Sequence, residues 1–271
     1  MADTSGTGTR RERRAAQREE RQQRERAEAA RARQRRRLFQ LGGALLLAVA
    51  IVVVIVVATG SGGDDGAPAK RAGESVAGAN DTAALFQGIP QRGAELGDPR
   101  APITLIEFGD LQCPFCKDAS DRIIPPVIEN YVRDGRVKFI FRDVAFLGTD
   151  STRAGQMAGA AALQNQLWPF IHLFYTNQGE ENTGYVTDDF LREIGGGVRG
   201  LDVDRAFSQM GDPDVQRAMT EAQTEWQGYG LSGTPSFVVG RTGGTLEPIN
   251  TDNGLTFETI QEPIDRLLAQ R

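Results

Sequence analysis

Two cysteines, separated by two residues, are the side chains of this sequence best suited to chemistry. Cys113 and Cys116 are the only cysteines in 271 residues, and Pro114 and Phe115 lie between them. An apolar, β-branched run before the pair predicts a strand, and apolar residues at helical spacing follow it. The pair is therefore expected where a strand ends and a helix begins.

This position would favour a thiolate, because the first turn of a helix carries unpaired N–H groups and the positive end of the helix dipole. Cys113 is expected to have a pKa below the free-thiol value of about 8.5 and to act as the nucleophile. Cys116 lies nearly one turn later on the same face, where it can resolve a mixed disulfide. Pro114 suits the first helical position, which needs no N–H donor.

A zinc site and a structural disulfide are the two alternatives to redox chemistry for the pair. A zinc site usually takes four ligands, but the chain has no third cysteine and only one histidine, His172. A purely structural disulfide across so short a loop would remove little chain entropy. The strand–turn–helix context favours redox chemistry, with no metal and no cofactor.

Charge and hydropathy divide the N-terminal part of the chain. Residues 1–37 contain 13 Arg and 6 Asp or Glu, a local charge of +7 in a chain of net charge −5. Residues 38–58 carry no charge and would span about 31 Å as a helix, which predicts a single transmembrane helix. By the positive-inside rule the N-terminus is cytoplasmic and the rest of the chain is extracytoplasmic. A cleaved signal peptide is the alternative, although its apolar region is normally shorter.

The segments on either side of the apolar run are predicted to serve the anchor. The basic tail, residues 1–37, has no aromatic residue that would indicate nucleic-acid binding, and it is expected to set topology near anionic lipids. Residues 59–85 are rich in Gly, Ala, Ser and Asp, and they predict a flexible extracytoplasmic linker.

Beyond residue 85 the periodicity predicts an α/β domain. The pair Pro125-Pro126 is expected to kink the helix that follows the cysteines. The predicted elements are a short strand within residues 93–102, a strand at 103–106, a helix at 117–133, a strand at 137–141, helices within 149–227, strands at 236–239 and 243–249, and an amphipathic helix at 257–269.

This order predicts a thioredoxin-like α/β fold with an α-helical insertion. The two parts of the thioredoxin-like domain are residues 86–148 and 228–271, and the insertion is residues 149–227. Trp168, Phe170, Phe174 and Tyr175 are expected to form the core of the insertion, or in part to line an apolar groove for clients. The glycine-rich residues 195–200 fit G-x-G-x-x-G, but they follow a helix and predict a helix end rather than a nucleotide site.

Three motifs together resemble the DsbA-like family of thiol:disulfide oxidoreductases, which have the thioredoxin fold. They are Glu-Phe-Gly-Asp at residues 107–110, Cys-Pro-Phe-Cys at 113–116 and Gly-Leu-Ser-Gly-Thr-Pro-Ser-Phe at 230–237. The resemblance covers about residues 87–270, and the membrane-anchored arrangement is similar to the disulfide-bond proteins of Gram-positive bacteria. It implies that Cys113 attacks and Cys116 resolves.

The resemblance also implies roles for residues outside the cysteine motif. Pro235 would be a cis-proline facing the pair, and the Thr234 backbone would bind a client peptide as an added strand. Glu107 would be an acid buried beneath Cys116, with a pKa raised by burial, that takes a proton from that thiol. The alternative for Glu107 is an ordinary surface glutamate on an edge strand.

One departure from the family concerns the strength of the oxidant. Phe115 stands where strongly oxidising members carry histidine, and a phenylalanine cannot attract or donate to a thiolate. Stabilisation of the Cys113 thiolate is therefore expected from the helix terminus, with help from Lys117.

The resemblance implies an extracytoplasmic enzyme that introduces disulfides into reduced exported proteins. A separate membrane partner linked to quinones would reoxidise it. A reductase or isomerase that uses the same site is the nearest alternative, since sequence does not fix the reduction potential. A redox-sensing or assembly module without enzymatic activity is the alternative from another class.

Overall fold

A computed structural model describes residues 76–251 and 254–270, and its first helix lies in the segment predicted to be a flexible linker. Helix α1 (Ala79–Phe86) buries Thr82 and Phe86, and the Phe86 ring packs 6.4 Å from the ring of Trp168, centroid to centroid. The linker prediction was wrong for residues 79–85, because burial of Phe86 anchors this turn of chain to the domain.

The predicted basic tail and transmembrane helix, and the linker up to residue 75, lie outside the described residues. Among the helices that are described, none has the length and apolar character needed to cross a bilayer.

A mixed sheet lies at the centre of the fold. Its six strands within the described residues are β1 (Gln91–Arg92), β2 (Glu95–Leu96), β3 (Ile103–Gly109), β4 (Val137–Asp143), β5 (Ser236–Arg241) and β6 (Leu246–Pro248). They lie in the order β1-β2-β4-β3-β5-β6, with β3 parallel to β4 and antiparallel to β5. The single short strand expected before β3 is a pair of two-residue strands.

The helix after the cysteines is shorter than predicted. Helix α2 (Pro114–Arg122) ends before the proline pair, α3 (Ile124–Val127) contains it, and a π-helical turn, Ile128–Val132, follows. Proline in a helix interior lacks an N–H donor and its ring clashes with the preceding turn, so the helix restarts at this point. A proline is tolerated in the first turn of α3, where its missing donor costs no hydrogen bond.

Five helices separate β4 from β5, where the insertion was predicted, and a last helix packs on the sheet. Trp168, Phe170, Phe174 and Tyr175 are each at most 1% exposed, so they form a core and do not line a groove. The helices are α4 (Thr149–Leu163), α5 (Leu167–Thr176), α6 (Asp188–Gly197), α7 (Val203–Gln209), α8 (Pro213–Gly228) and α9 (Phe257–Ala269).

Trp168 joins the helical insertion to the sheet. Its ring lies 4.6 Å from that of Phe139 in β4, centroid to centroid, and its Nε1–H donates to the Ala94 carbonyl at 3.0 Å. Within the glycine-rich run, α6 ends at Gly197, which confirms the prediction of a helix end.

Alternation along β3 decides which side chains face the cysteines. Ile103 and Leu105 belong to the larger core, which also contains both cysteines, whereas Ile106 and Phe108 belong to a smaller core on the opposite face. Because successive strand residues point to opposite faces, Glu107 shares the face of Leu105. The central strand therefore directs this carboxyl toward the face that α2 covers.

Candidate active site

Cys113 stands at the junction of β3 and α2. It is the N-cap of α2, with φ −68° and ψ 121°, and Pro114 occupies the first helical turn. Neither cysteine is in a disulfide; Cys113 is 4% exposed and Cys116 is completely buried. Phe115 is 71% exposed, so the residue beside the buried thiols is also the most accessible large apolar side chain of the described residues.

The surroundings of the Cys113 sulfur lower the pKa of this thiol to about 6. The main cause is a hydrogen bond from the Cys116 thiol, and burial opposes it. Smaller contributions come from the Thr234 hydroxyl and from the backbone N–H groups of Cys116 and Phe115 at the helix start. The prediction of a lowered pKa agrees with this result, but the helix terminus contributes less than the second cysteine.

Lys117 does not contribute as expected. Its ammonium group donates to the carbonyl of Tyr175 at 2.7 Å and pairs with Asp121 at 3.3 Å. Lysine is therefore directed along α2 and toward the end of α5, and it is not among the causes of the Cys113 pKa shift. The prediction of help from Lys117 was wrong, since side-chain direction on a helix depends on tertiary partners.

Cys116 has the opposite environment. Burial raises the pKa of its thiol well above the ordinary value, and the hydrogen bond to Cys113 and the charges of Cys113 and Glu107 raise it further. The backbone N–H of Asp110 acts in the other direction. The pair is thus poised as a thiolate at Cys113 and a thiol at Cys116 in neutral solution.

Glu107 is a buried acid on the central strand. It is 2% exposed, and its Oε1 has no hydrogen-bond partner among the described residues. Burial, followed by the charge of Cys113, raises the pKa of Glu107 to about 8. A surface glutamate on an edge strand is therefore excluded, and the carboxyl can exchange a proton near neutral pH.

The Thr234–Pro235 peptide bond is cis, as the resemblance implies. It directly precedes β5, in which Ser236 pairs with Phe108 at the end of β3. This register brings the bend to the cysteines, and the Cys113 thiol donates to the Thr234 carbonyl at 3.3 Å. The Thr234 hydroxyl is buried and has no other partner among the described residues, so it can donate to the sulfur once the thiol ionises.

The sequence did not reveal the polar groups behind the cysteine motif. The side-chain amide of Gln178 donates to the carbonyls of Leu111 at 2.8 Å and Cys113 at 3.2 Å. The Tyr175 hydroxyl donates to the Asp110 carbonyl at 3.2 Å. A signal for Asp110 was present, because an acidic residue follows a buried strand directly, but its partners are distant in sequence.

Other titratable groups lie apart from the thiols or do not form a metal site. His172 Nδ1 lies 2.9 Å from the Ser120 hydroxyl between α2 and α5, and burial lowers the pKa of its imidazole. Across residues 76–251 and 254–270, no three His, Cys, Asp or Glu side chains are grouped so that they could hold a metal ion.

Proteins named disulfide bond formation protein D are among the relatives of this chain. A family model described as thioredoxin matches residues 91–266. A probable disulfide bond formation protein D of Bacillus cereus is 27% identical over 179 residues, which cover 65% of this chain and 78% of the relative. The disulfide bond formation protein D of Bacillus subtilis is 31% identical over 101 residues, 36% of this chain and 46% of that protein.

Solved structures share the fold. The oxidised BdbD of Bacillus subtilis superposes with a TM-score of 0.57 at 22% identity, over 66% of this chain and 97% of that chain. A thioredoxin-like oxidoreductase of Silicibacter pomeroyi has a TM-score of 0.53 at 26% identity, over 70% and 98% of the two chains. These superpositions confirm the predicted thioredoxin-like α/β fold.

Proposed function

We propose, because the chain belongs to the thioredoxin family, that it introduces disulfides into exported proteins through Cys113 and Cys116. The chain is a DsbA-like thiol:disulfide oxidoreductase, in agreement with its disulfide bond formation relatives and its fold. The proposal adds the direction of exchange, the side of the membrane and the partners.

The exchange follows from the two thiol environments. A client thiolate attacks Cys113 of the oxidised enzyme, the Cys113–Cys116 bond breaks, and Cys116 leaves and takes a proton from the neutral Glu107 carboxyl. A second client thiolate then attacks the client sulfur of the mixed disulfide, and Cys113 leaves as a thiolate. Two electrons pass from the client to the enzyme, and the client gains one disulfide.

The lowered pKa of Cys113 is the observation that supports transfer of the disulfide from the enzyme to the client. A thiolate with a pKa of about 6 is stable in the reduced enzyme at neutral pH and is a good leaving group. Both effects favour transfer of the disulfide to a client. Phe115 adds nothing to this stabilisation, so the enzyme is proposed to be an oxidant of moderate strength.

Client binding is proposed at the cis bend. An extended client segment can pair with the Thr234 backbone as an added strand, next to the sulfur that it attacks. The exposed Phe115 ring provides apolar surface at the same place. Such binding depends on the main chain of the client more than on its side chains, which suits an enzyme with many clients.

The location and the redox partner rest on the sequence. The uncharged residues 38–58, preceded by Arg35, Arg36 and Arg37, support a single-pass anchor with a cytoplasmic N-terminus and an extracytoplasmic catalytic domain. Disulfides persist on that side of the membrane. After each cycle a separate quinone-linked membrane partner would accept the two electrons.

The reduction potential tests the direction. Equilibration of the purified domain with glutathione buffers should give a potential well above the value of about −270 mV typical of thioredoxin. A potential close to that of thioredoxin would instead identify a reductase.

Trapping of clients tests the enzymatic role. In cells, Cys113 of a Cys116→Ser variant should attack client disulfides, release one client thiolate and hold many exported proteins as mixed disulfides, because no Cys116 thiol is present to displace them. A Cys113→Ser variant is the matched control and should trap none. Capture of one protein alone would favour a redox sensor over an oxidase.

A further inference from the structure

Asp110 is a buried acid with a full set of hydrogen bonds. Its side chain is completely buried; Oδ1 accepts from the backbone N–H of Gln112 at 2.8 Å and from the Ser151 hydroxyl at 2.6 Å. Oδ2 accepts from the N–H groups of Phe146 at 2.8 Å and Leu147 at 3.0 Å. Four donors satisfy a carboxylate that would otherwise be costly to bury.

These donors come from three separate parts of the chain. Gln112 belongs to the turn before Cys113, Phe146 and Leu147 to the loop after β4, and Ser151 to the first turn of α4. The Gln112 side chain strengthens the same junction, since its amide nitrogen donates to Ser151 at 2.9 Å. The carboxylate therefore joins the cysteine turn to the helical insertion.

The main chain of the same residue faces the thiols. The Asp110 carbonyl accepts from the N–H of Cys113 at 2.9 Å and from the Tyr175 hydroxyl at 3.2 Å. The Asp110 backbone N–H lowers the pKa of the Cys116 thiol and so favours its thiolate. The main chain of Asp110 therefore holds one cysteine and affects the ionisation of the other.

We propose that Asp110 is a positioning residue for disulfide exchange, whose carboxylate fixes the turn before α2 so that its carbonyl holds the N–H of Cys113. This inference rests on the proposed exchange reaction and adds to it a support that the helical insertion gives to the cysteine turn. Asp110 touches no substrate. It acts by holding the turn, and with it Cys113, where the Cys116 sulfur can attack or leave.

Asp143 is a second buried acid, and its comparison with Asp110 shows that the positioning role depends on hydrogen bonds and not on burial alone. Both side-chain oxygens of Asp143 are buried and lack a partner among the described residues that meets hydrogen-bond geometry. An added Cβ on Gly155 would lie 1.8 Å from its Oδ2, so α4 packs directly on this carboxyl. Its main chain pairs with Gly109 and its charge acts on that of Asp110, but among the described residues no hydrogen bond joins its carboxyl to the cysteine turn.

The reaction of the reduced enzyme with oxidised glutathione separates the two steps. The Cys113 thiolate attacks and forms a glutathione mixed disulfide with release of one glutathione; Cys116 then closes the enzyme disulfide and releases the second. Rapid acid quenching and mass spectrometry follow the adduct. In Asp110→Asn an amide NH₂ faces two donors, the turn shifts, and resolution should slow by about tenfold or more, while the first step changes less.

Two further variants make the test decisive. Asp265→Asn removes an acid that accepts a hydrogen bond from Tyr131 at 2.8 Å, away from the thiols, and should leave both steps unchanged. Ser151→Ala removes one of the four donors and keeps the carboxylate, so it should slow resolution by a smaller factor of about two to three. If Asp110→Asn does not fold, the Ser151→Ala result decides.

The outcomes distinguish this inference from the proposed function. Wild-type resolution rates in a folded Asp110→Asn protein, or in Ser151→Ala where Asp110→Asn fails to fold, would overturn the positioning role. The Cys116→Ser variant could still trap clients in that case. Absence of mixed disulfides between Cys116→Ser and exported proteins would overturn the proposed function, while the two glutathione steps would still report on Asp110.

Discussion

The two cysteines lie one helical turn apart, yet their surroundings differ in the groups that meet each sulfur. At the mouth of the site, Cys113 faces a thiol, a hydroxyl and two backbone N–H groups, and all of them favour an anion. On the floor, Cys116 is enclosed by apolar side chains and faces the charges of Cys113 and Glu107. One short motif therefore supplies a stable leaving group and a protonated thiol together.

This difference shows that the helix terminus alone does not create the reactive thiolate. The second cysteine is the main source of the lowered Cys113 pKa, and the Thr234 hydroxyl comes from the bend before β5, the strand beside β3. The surroundings of Cys113 thus come from both parts of the thioredoxin-like domain, whereas those of Cys116 depend on burial beneath α2. Substitutions on each side should change the two thiols differently.

The largest effect is expected from removing the donor on the floor. Cys116→Ala should raise the pKa of Cys113 from about 6 toward the free-thiol value of about 8.5, because its main hydrogen bond is lost. Cys116→Ser keeps a hydroxyl donor and should stay nearer the wild-type value. Alkylation rates of Cys113 as a function of pH measure both, and identical titrations of the two variants would contradict the assignment.

A large effect is also expected from Glu107→Gln. Without an ionisable carboxyl on the floor, proton transfer at Cys116 should slow, and turnover with a reduced peptide should fall by about a hundredfold at neutral pH. The Cys113 thiolate at the mouth should still form. A stopped-flow assay measures turnover, and alkylation of Cys113 measures formation of its thiolate. Equal losses in the turnover rate and in the alkylation rate would contradict the role of Glu107 in proton transfer.

The same variant should change how stability depends on pH. Between pH values of about 5 and 8, the folded protein holds a proton on Glu107 that the unfolded chain has released, so this residue lowers stability as pH rises. The contribution is about 1.4 kcal/mol per pH unit, and Glu107→Gln removes it. Denaturant unfolding of the reduced proteins should show that the free energy of unfolding of the variant rises relative to that of the wild type as pH increases. The same pH dependence in both proteins would refute this.

A moderate effect is expected at the mouth from Phe115→His. An imidazolium beside the sulfur would attract the thiolate and lower the pKa of Cys113 by about one further unit. The reduction potential should rise with it, because the reduced enzyme is stabilised. Redox titration against glutathione measures the change, and an unchanged potential would show that the exposed position does not reach the sulfur.

The smallest effect is expected from Lys117→Met. Since its half-buried ammonium group is already paired with the end of α5 and with Asp121, its loss should leave the Cys113 titration within about 0.3 pH units of the wild type. A rise of a full unit in the pKa of Cys113 would show that the Lys117 ammonium group stabilises the thiolate.

The sequence predicted the site where chemistry and local signals coincide. The strand before Cys113, the helix after it, the cis bond at Pro235 and the burial of Glu107 all follow from short motifs and from the resemblance that they carry. The helices between β4 and β5 were visible as apolar periodicity. These features depend on residues that are near one another in sequence.

The missing parts depend on contacts between distant segments. Four donors from three regions satisfy Asp110, and no spacing rule connects residues 110, 146 and 151. Lys117 was expected to stabilise the Cys113 thiolate, but its ammonium group donates to the end of α5 and pairs with Asp121 on α2. Helix α1 was missed because most of its residues are small or polar, and the burial of Phe86 against Trp168 anchors it.

The proposed exchange depends above all on the pKa of Cys113 in the reduced wild-type protein. Thiolate absorbance in the ultraviolet, with Cys113→Ser as the blank, should rise with a midpoint near pH 6. A midpoint near the free-thiol value of about 8.5 would contradict the account, because Cys113 would then be no better a leaving group than an ordinary cysteine.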